Sequence, residues 1–257
     1  MRACRLIHWV VLAAYAVMWC GGVAGQVLTG GPPAGAAWAS GIFLLLAGLI
    51  VVLTSRPAEL AGLAAVALLG LAAEVVGVRY GFPFSHYRYT EVLQPQFLAV
   101  PVVMACAWMV LVAYVRQMLK GFGLPARVEV VVAAAWMTAI DLVIDPLAAN
   151  QLGYWRWAEA GRYYGIPWQN FAGWFVVSLL IFGMVRQRWR PNPWARFTGL
   201  SIVLFFAAIA LASGLRLAAF IGLGLCALHF ALPRSIPVFP ASPAPPGRQL
   251  TSRPDRL

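Results

Sequence analysis

The chain has 257 residues, of which 62% are hydrophobic and 11% are charged, and its mean hydropathy is +0.79. A soluble globular domain has about 25% charged residues, so this composition indicates a polytopic membrane protein. The net charge of +11 does not indicate a nucleic-acid partner, because the basic residues lie between apolar segments, where the cytoplasmic loops of membrane proteins collect them. The four cysteines form no CxxC pair and no Cys/His cluster, so there is no sequence signal for a disulfide or a metal site.

Apolar segments alternate with short polar connections, which predicts an all-α transmembrane helix bundle of about eight spans, with seven as the alternative. The predicted segments are residues 8–28, 36–53, 58–78, 97–119, 128–149 and 170–185, followed by two within 197–232. The last stretch is too long for one span of about 20 residues, and residues 213–216 offer a hairpin that divides it. The first segment ends in a sequence similar to a signal-peptide cleavage site, but its apolar run is near a full span, so we interpret it as a helix.

The bundle forms one predicted domain, residues 1–232, and the Pro- and Arg-rich residues 233–257 are predicted to be a disordered cytoplasmic tail. With eight spans and both termini cytoplasmic, 14 of the 19 basic residues fall on the inner side, in agreement with the positive-inside rule. We therefore expect an integral protein of the bacterial cytoplasmic (inner) membrane. In this orientation both long polar loops, residues 79–96 and 150–169, lie on the outer face.

Three acidic residues lie toward the outer ends of predicted spans, away from the inner ends where other acids are found. Glu74 belongs to the third segment, and Asp141 and Asp145 belong to the fifth. The spacing of i and i+4 places both aspartates on one helix face, one turn apart. Carboxylates are costly inside a membrane, so these three acids are candidate catalytic residues. The alternative is structural: ion pairs with arginines of the two outer loops.

The loop after the aspartates is rich in Trp and Tyr and leads to a new apolar segment at Asn170. These aromatic residues either contact a substrate or form the interfacial belt that Trp and Tyr form in many membrane proteins. Asn170 either contributes to the same site or caps the sixth helix. The candidate substrate-binding residues are Tyr87, Tyr89, Trp155, Trp157, Tyr163, Tyr164, Asn170 and Trp174.

Several enzyme classes lack support in the sequence. The chain contains no GxxxxGK[ST], strand-associated GxGxxG, HExxH or GxSxG motif, which argues against nucleotide-driven transport, nicotinamide chemistry, zinc proteolysis and standard serine hydrolysis. With only three histidines, the chain also lacks the ligands for a di-iron hydroxylase.

Residues 141–174 combine the elements D-x3-D-P, G-Y-W-x-W, G-x-Y-Y-G-x-P and N-F-x-G-W-F. An earlier stretch adds Glu74, Gly77, Gly81, Phe84, Tyr87, Tyr89, Pro101 and Trp108. Together, over about residues 70–185, these elements resemble the integral-membrane carotenoid biosynthesis proteins of the CruF type. In that family the element before the paired tyrosines reads Phe-Gly, whereas this chain has residues 84–86 as Phe-Ser-His.

The resemblance implies a carotenoid 1,2-hydratase, also called a 1'-hydroxylase. Such an enzyme adds water to the terminal double bond of an acyclic ψ end group, as in γ-carotene, lycopene or bisanhydrobacterioruberin. The product is a tertiary alcohol, and a glycosyltransferase that modifies it is a candidate partner. The substrate lies in the bilayer, and no cofactor, metal or nucleic acid is expected.

The residues suit this chemistry, which requires protonation of the alkene to a tertiary cation and then capture of water. A carboxylic acid in an apolar site beside a second carboxylate retains a proton near neutral pH, and the partner can orient water. Aromatic faces can stabilise the cation by about 1–2 kcal/mol. We expect one of Asp141 and Asp145 to be the acid, and Glu74 or the other aspartate to position water.

Three other functions remain open at the level of the sequence. In an intramembrane prenyltransferase the D-x3-D element would hold Mg²⁺ against a diphosphate, although such enzymes usually carry two acidic motifs. In a carotenoid cyclase a double bond, rather than water, would capture the cation. A non-enzymatic carotenoid or lipid carrier would bind the same substrate without converting it.

Overall fold

The computed structural model describes residues 2–31, 35–36, 38–120, 122–186 and 189–232, and within them the chain folds into eight α-helices and four short β-strands. The helices are α1 Arg2–Thr29, α2 Trp38–Thr54, α3 Pro57–Tyr80, α4 Met104–Leu119, α5 Ala126–Asn150, α6 Trp168–Met184, α7 Pro193–Ala212 and α8 Arg216–Ala231. The strands are β1 Tyr87–Tyr89, β2 Gln96–Phe97, β3 Val100–Pro101 and β4 Trp155–Trp157. The predicted all-α class is confirmed, and the predicted tail, residues 233–257, lies outside the described residues.

The helices are apolar and of membrane-spanning dimensions. Four are long and apolar enough to cross a membrane: Leu6–Thr29, Pro57–Tyr80, Ala126–Asn150 and Pro193–Ala212. The other four are apolar helices of 16 or 17 residues. A 17-residue helix is about 25 Å long, slightly less than the roughly 30 Å of a hydrocarbon core. The chain is therefore an integral membrane protein, whose described residues form four full-length and four shorter apolar helices.

Three helices begin four or more residues away from the positions that the hydropathy pattern predicts, and the first of them is α1, which begins at Arg2 rather than residue 8. The fourth was predicted from residue 97, but β2 and β3 pair there as an antiparallel hairpin, and α4 starts only at Met104. The turn residues Leu98 and Ala99 both have positive φ, the conformation of a two-residue hairpin turn. The seventh begins at Pro193 rather than residue 197, because the Asn192 side chain accepts the first free N–H groups of the helix.

The central helix is α4, which packs against α2, α3, α5 and α7 and buries twelve of its sixteen residues. Its fully buried Trp108 faces Gly70 of α3. A Cβ atom at Gly70 would lie only 2.3 Å from Cγ of Trp108, so a glycine is needed for α3 and α4 to approach this closely. The close approach brings the Trp108 indole to Glu74, one turn further along α3.

We expect Gly70→Ala to destabilise the protein by about 1–3 kcal/mol, because the new methyl group overlaps the base of the Trp108 ring rather than a flexible chain end. The measurement is the thermal unfolding midpoint of purified protein in detergent. The matched control is Gly183→Ala in α6, where a Cβ atom meets nothing within 4 Å. Equal midpoints for Gly70→Ala and wild type would contradict the tight contact.

The two long loops meet at one end of the bundle, which we call the site end. It is the end at which Tyr80 and Asn150 finish their helices and Met104 and Trp168 begin theirs. The loops are joined there by β1 and β4, which pair as an antiparallel two-stranded sheet. At the opposite end the buried Glu59 side chain accepts backbone N–H groups from Arg56 at 3.0 Å and Arg190 at 2.6 Å.

Candidate active site

Three buried carboxylic side chains converge at the site end. Glu74 lies in the last two turns of α3 and is 4% exposed, and Asp141 and Asp145 lie near the end of α5 and are each 1% exposed. Instead of arginine partners, these carboxylates have neutral N–H and O–H donors. The three acids therefore form a hydrogen-bonded polar centre rather than the ion pairs with loop arginines that the sequence left open.

Glu74 accepts hydrogen bonds from three side chains. The Trp108 indole Nε1–H donates to Oε1 at 3.0 Å, and the Tyr89 hydroxyl donates to Oε2 at 2.9 Å. The Tyr87 hydroxyl also donates to Oε2. Donors of this kind stabilise the negative charge of a carboxylate that burial alone would disfavour. The arrangement suits Glu74 to act as an ionised acceptor.

Asp141 and Asp145 are joined by one amide group. Nδ2 of the buried Asn170 donates to Oδ2 of Asp141 at 2.7 Å and to Oδ2 of Asp145 at 2.5 Å. The second oxygen of Asp145 accepts the indole N–H of Trp155 at 2.8 Å and of Trp157 at 3.3 Å. Asn170 is thus a residue of the centre, and Pro167 occupies the N-cap position of α6.

The sheet of β1 and β4 supplies four of these donors. In β1, Tyr87–Tyr89, and β4, Trp155–Trp157, side chains alternate between the two faces, and the first and third residue of each strand point at the carboxylates. The central residues, Arg88 and Arg156, are opposite each other in the register and are exposed. The alternation therefore keeps both positive charges away from the buried acids.

The β1 tyrosines are fixed as neutral donors. Burial, followed by the neighbouring charge of Glu74, raises the pKa of both Tyr87 and Tyr89 well above the ordinary value of 10. Both hydroxyls therefore keep their protons throughout the physiological range of pH. Their role at the carboxylate is hydrogen-bond donation rather than proton exchange.

A proline inside α5 explains where the hydroxyl of Tyr163, another predicted site residue, binds. Pro146 has no N–H, so the carbonyl of Leu142 lacks its helical donor. The Tyr163 hydroxyl donates to this carbonyl at 2.8 Å. Tyr164 lies beside it, with its hydroxyl accepting the N–H of Leu217 at 3.1 Å. These contacts hold the loop against α5 and α8, and a direct role of either tyrosine in substrate binding stays a prediction.

A cavity of about 20 Å³ lies between Glu74 and Asp145. Its wall consists of Glu74, Phe84, Tyr87, Tyr89, Met104, Asp145, Trp155, Trp157, Asn170 and Trp174. This volume is sufficient for one water molecule. Most predicted site residues surround it, and Asp141 contacts it through Asn170.

Three residues of this site were not predicted from the sequence. Phe84 and Met104 complete the cavity wall, and Trp108 both binds Glu74 and stacks on Trp174 with ring centroids 4.3 Å apart. Phe84 and Trp108 belong to the motif elements of the sequence, which was the available signal. Met104 had none, because the β2–β3 hairpin determines where α4 begins.

Comparison with known proteins identifies relatives. The protein-family model described as carotenoid biosynthesis protein matches residues 38–229. A bisanhydrobacterioruberin hydratase from Haloarcula japonica is 35% identical over 181 residues, which are 65% of this chain and 60% of that protein. The chain thus spans about 60% of the length of this relative. No solved protein structure matches the chain. Since the family match covers most of the sequence and all the helices of the polar centre, the chain belongs to the carotenoid biosynthesis protein family.

Proposed function

We propose that this protein is a carotenoid hydratase that adds water to the terminal 1,2 (1',2') double bond of an acyclic ψ end group. The family and the name of the Haloarcula japonica relative support a substrate of the bisanhydrobacterioruberin type, and lycopene and γ-carotene carry the same kind of end group. The observation that carries the proposal is the water-sized cavity between Glu74 and Asp145. A hydration needs an acid, a base and a water molecule between them.

The aspartate pair supplies the proton in this mechanism. Two carboxylates that accept hydrogen bonds from one Asn170 nitrogen favour a state with a single shared proton, because two adjacent negative charges repel strongly in an apolar site. Asp145 lines the cavity and Asp141 lies behind it. Asp145 is therefore the donor to C-2 of the terminal double bond, which leaves a tertiary cation at C-1.

Glu74 activates the water in the second step. Its carboxylate lines the cavity together with Asp145 and accepts three hydrogen bonds, and, unlike Asp145, it shares no donor with a second carboxylate that would favour a bound proton. The water oxygen bonds to C-1 while Glu74 takes one of its protons. Exchange with solvent then returns a proton to the aspartate pair, so the net change is the addition of one water molecule. No cofactor takes part in this scheme.

Aromatic rings surround the place where the cation forms. Trp174 lines the cavity and is backed by the stacked Trp108, and the Tyr87 and Trp157 rings lie 5.0 Å apart on another wall. Their π faces can stabilise a cation by about 1–2 kcal/mol. An end group is larger than the cavity, so its binding displaces side chains of this wall.

The donor set argues against the prenyltransferase alternative. A magnesium ion binds to free lone pairs of carboxylate oxygens. At Asp145 these lone pairs are directed at the N–H groups of Trp155, Trp157 and Asn170. Such a centre favours hydrogen-bonded carboxyl groups over a metal held against a diphosphate.

The distribution of basic residues supports an orientation of the protein in the membrane, which is part of this proposal. We place the site end at the outer face of the cytoplasmic membrane and both termini in the cytoplasm. A carotenoid that spans the bilayer then brings its end group to an interface where water is available. A glycosyltransferase that accepts the tertiary alcohol is the partner to test.

Pigment analysis tests the proposed function. The full chain is expressed in cells that make lycopene, γ-carotene or bisanhydrobacterioruberin. The extracted pigments are separated by chromatography, and their masses are measured by mass spectrometry. We expect a more polar pigment that is heavier by one water molecule and has an unchanged polyene absorption. An isomer of unchanged mass with a shifted spectrum would instead indicate cyclisation, and unconverted pigment bound to purified protein would indicate a carrier.

A further inference from the structure

A second and larger cavity lies at the site end, between α1, α2, α7 and the loop that follows α5. Its volume is about 310 Å³, in the range of sites for small ligands. The wall includes Gly21 and Gly22 of α1, Ser40 and Phe43 of α2, and Tyr154 of the loop. We call this cavity the α1–α2 groove.

Small side chains keep the groove open at the site end, and aromatic rings limit it further down the bundle. Gly21 and Gly22 of α1 and Ala39 and Ser40 of α2 line the groove, and a Cβ atom at Gly21 would meet nothing within 4 Å, so small side chains leave this space unfilled. Toward the opposite end, Tyr15 of α1 stacks on Phe43 of α2 with ring centroids 4.8 Å apart, and this contact fills the space between the two helices. The sizes of the side chains on α1 and α2 therefore determine where the groove is open.

The groove continues toward the candidate active site. Tyr154 lines the groove, and its ring centroid is 6.1 Å from that of Trp155. Trp155 lines the cavity of about 20 Å³ at Glu74 and Asp145, which we call the catalytic cavity. Tyr154 packs in one apolar cluster with Leu44, a groove residue, and with Met104, a residue of the catalytic cavity. A single layer of side chains thus separates the two spaces.

We propose that the α1–α2 groove binds the polyene chain of the carotenoid while the end group occupies the catalytic cavity, with Tyr154 between the two. This inference rests on the proposed hydratase function. The catalytic cavity of about 20 Å³ is far too small for an extended polyene, so the chain needs a second apolar space next to it.

The chemistry of the wall favours a polyene over a phospholipid. The described residues of the wall are apolar or aromatic with a few neutral polar groups, and none of them is a lysine or arginine that would hold a phosphate. Phe43 and Phe205 both line the groove and stack on each other with centroids 5.5 Å apart, which gives the wall a rigid aromatic surface. Flat rings suit a rigid conjugated chain, which loses little conformational entropy on binding.

The test measures lycopene retained by purified protein. The background is Glu74→Gln, in which we expect conversion of lycopene to be slow, and the protein is produced in lycopene-making cells and purified in detergent. Gly21→Leu and, separately, Ala39→Leu are added to fill the groove from its two helices. The control is Gly224→Leu on an exposed face of α8, where, as at Gly21, a Cβ atom meets nothing within 4 Å. The polyene absorbance per protein is the readout, with size-exclusion profiles to verify folding.

We expect each groove variant to lose lycopene at least fivefold and the Gly224→Leu control to retain it. Unchanged lycopene in folded groove variants, or a background protein that holds none, would overturn the proposal. Loss of co-purified phospholipid with lycopene retained would assign the groove to a lipid chain instead and would equally overturn it. Groove-dependent lycopene binding without hydration by the wild-type chain would refute only the proposed function, and hydration with groove-independent binding would refute only this inference.

Discussion

Replacing Glu74 by glutamine is expected to reduce the rate of carotenoid hydration by about 10³-fold, within the range of 10²–10⁴ that general base catalysis contributes. The substitution keeps the shape of the side chain but removes the charge that activates water. The three donors of Tyr87, Tyr89 and Trp108 remain, while the new amide group offers one acceptor oxygen and its own N–H bonds. The substitution therefore removes the base and also disrupts the hydrogen bonds that the Glu74 carboxylate accepts.

The measurement is the initial rate of hydrated pigment formed per folded protein in membranes, with expression normalised by immunoblot. Glu59→Gln is a matched control, because Glu59 is equally a buried glutamate of α3 but accepts backbone N–H groups at the opposite end of the bundle. We expect this control to lower stability and to leave the rate per folded protein within about threefold of wild type, since it is far from the chemistry. Comparable losses in both variants would show that Glu74 acts only through the fold.

The helical bundle and the convergence of the three acids at one end of it could be predicted from the sequence. Asp141 and Asp145 share a helix face because of their i, i+4 spacing, and alternation of spans places Glu74 at the same end of the bundle. Both inferences use only local periodicity and the direction of successive helices. In the structure Glu74 and Asp145 line one cavity, and Asp141 contacts it through Asn170.

The pairing of β1 with β4 was beyond sequence reasoning. Each strand has three residues, too few for alternation to be distinguished from chance, and the partners are separated by two complete helices. The pairing nevertheless determines the site, because it directs Tyr87 and Trp155 inward and Arg88 and Arg156 outward. Non-local pairing of short strands is the step that local patterns cannot supply.

Asn170 shows how an open choice is decided by packing. As the first polar residue of an apolar segment, it was equally suited to a helix cap and to a site. The chain enters α6 at Pro167, which moves Asn170 inside the first turn and buries it against α5. Its amide then satisfies Asp141 and Asp145 at once, an arrangement that depends on the α5–α6 contact.

Asp145→Asn is expected to suppress both hydration and proton exchange, whereas Glu74→Gln is expected to suppress hydration alone. In D₂O the Asp145 carboxyl delivers a deuteron to C-2, and the cation at C-1 is captured by water with Glu74 as base. Without Glu74, the Asp145 carboxylate, which has just delivered its deuteron, takes back a proton from C-2 or from an adjacent methyl group of the cation. The recovered alkene then carries deuterium although no alcohol is formed.

The measurement is the isotope content of recovered lycopene and of its hydrated product, by mass spectrometry, after incubation of membranes in D₂O. Glu74→Gln is expected to accumulate deuterated lycopene, and Asp145→Asn should leave lycopene unlabelled. Asp141→Asn is expected to slow both processes about tenfold to 100-fold, because Asp141 contacts the reacting groups only through Asn170 and Asp145. Labelled lycopene from Asp145→Asn and unlabelled lycopene from Glu74→Gln would reverse the two roles, since only the acid is needed for exchange and both groups are needed for the alcohol.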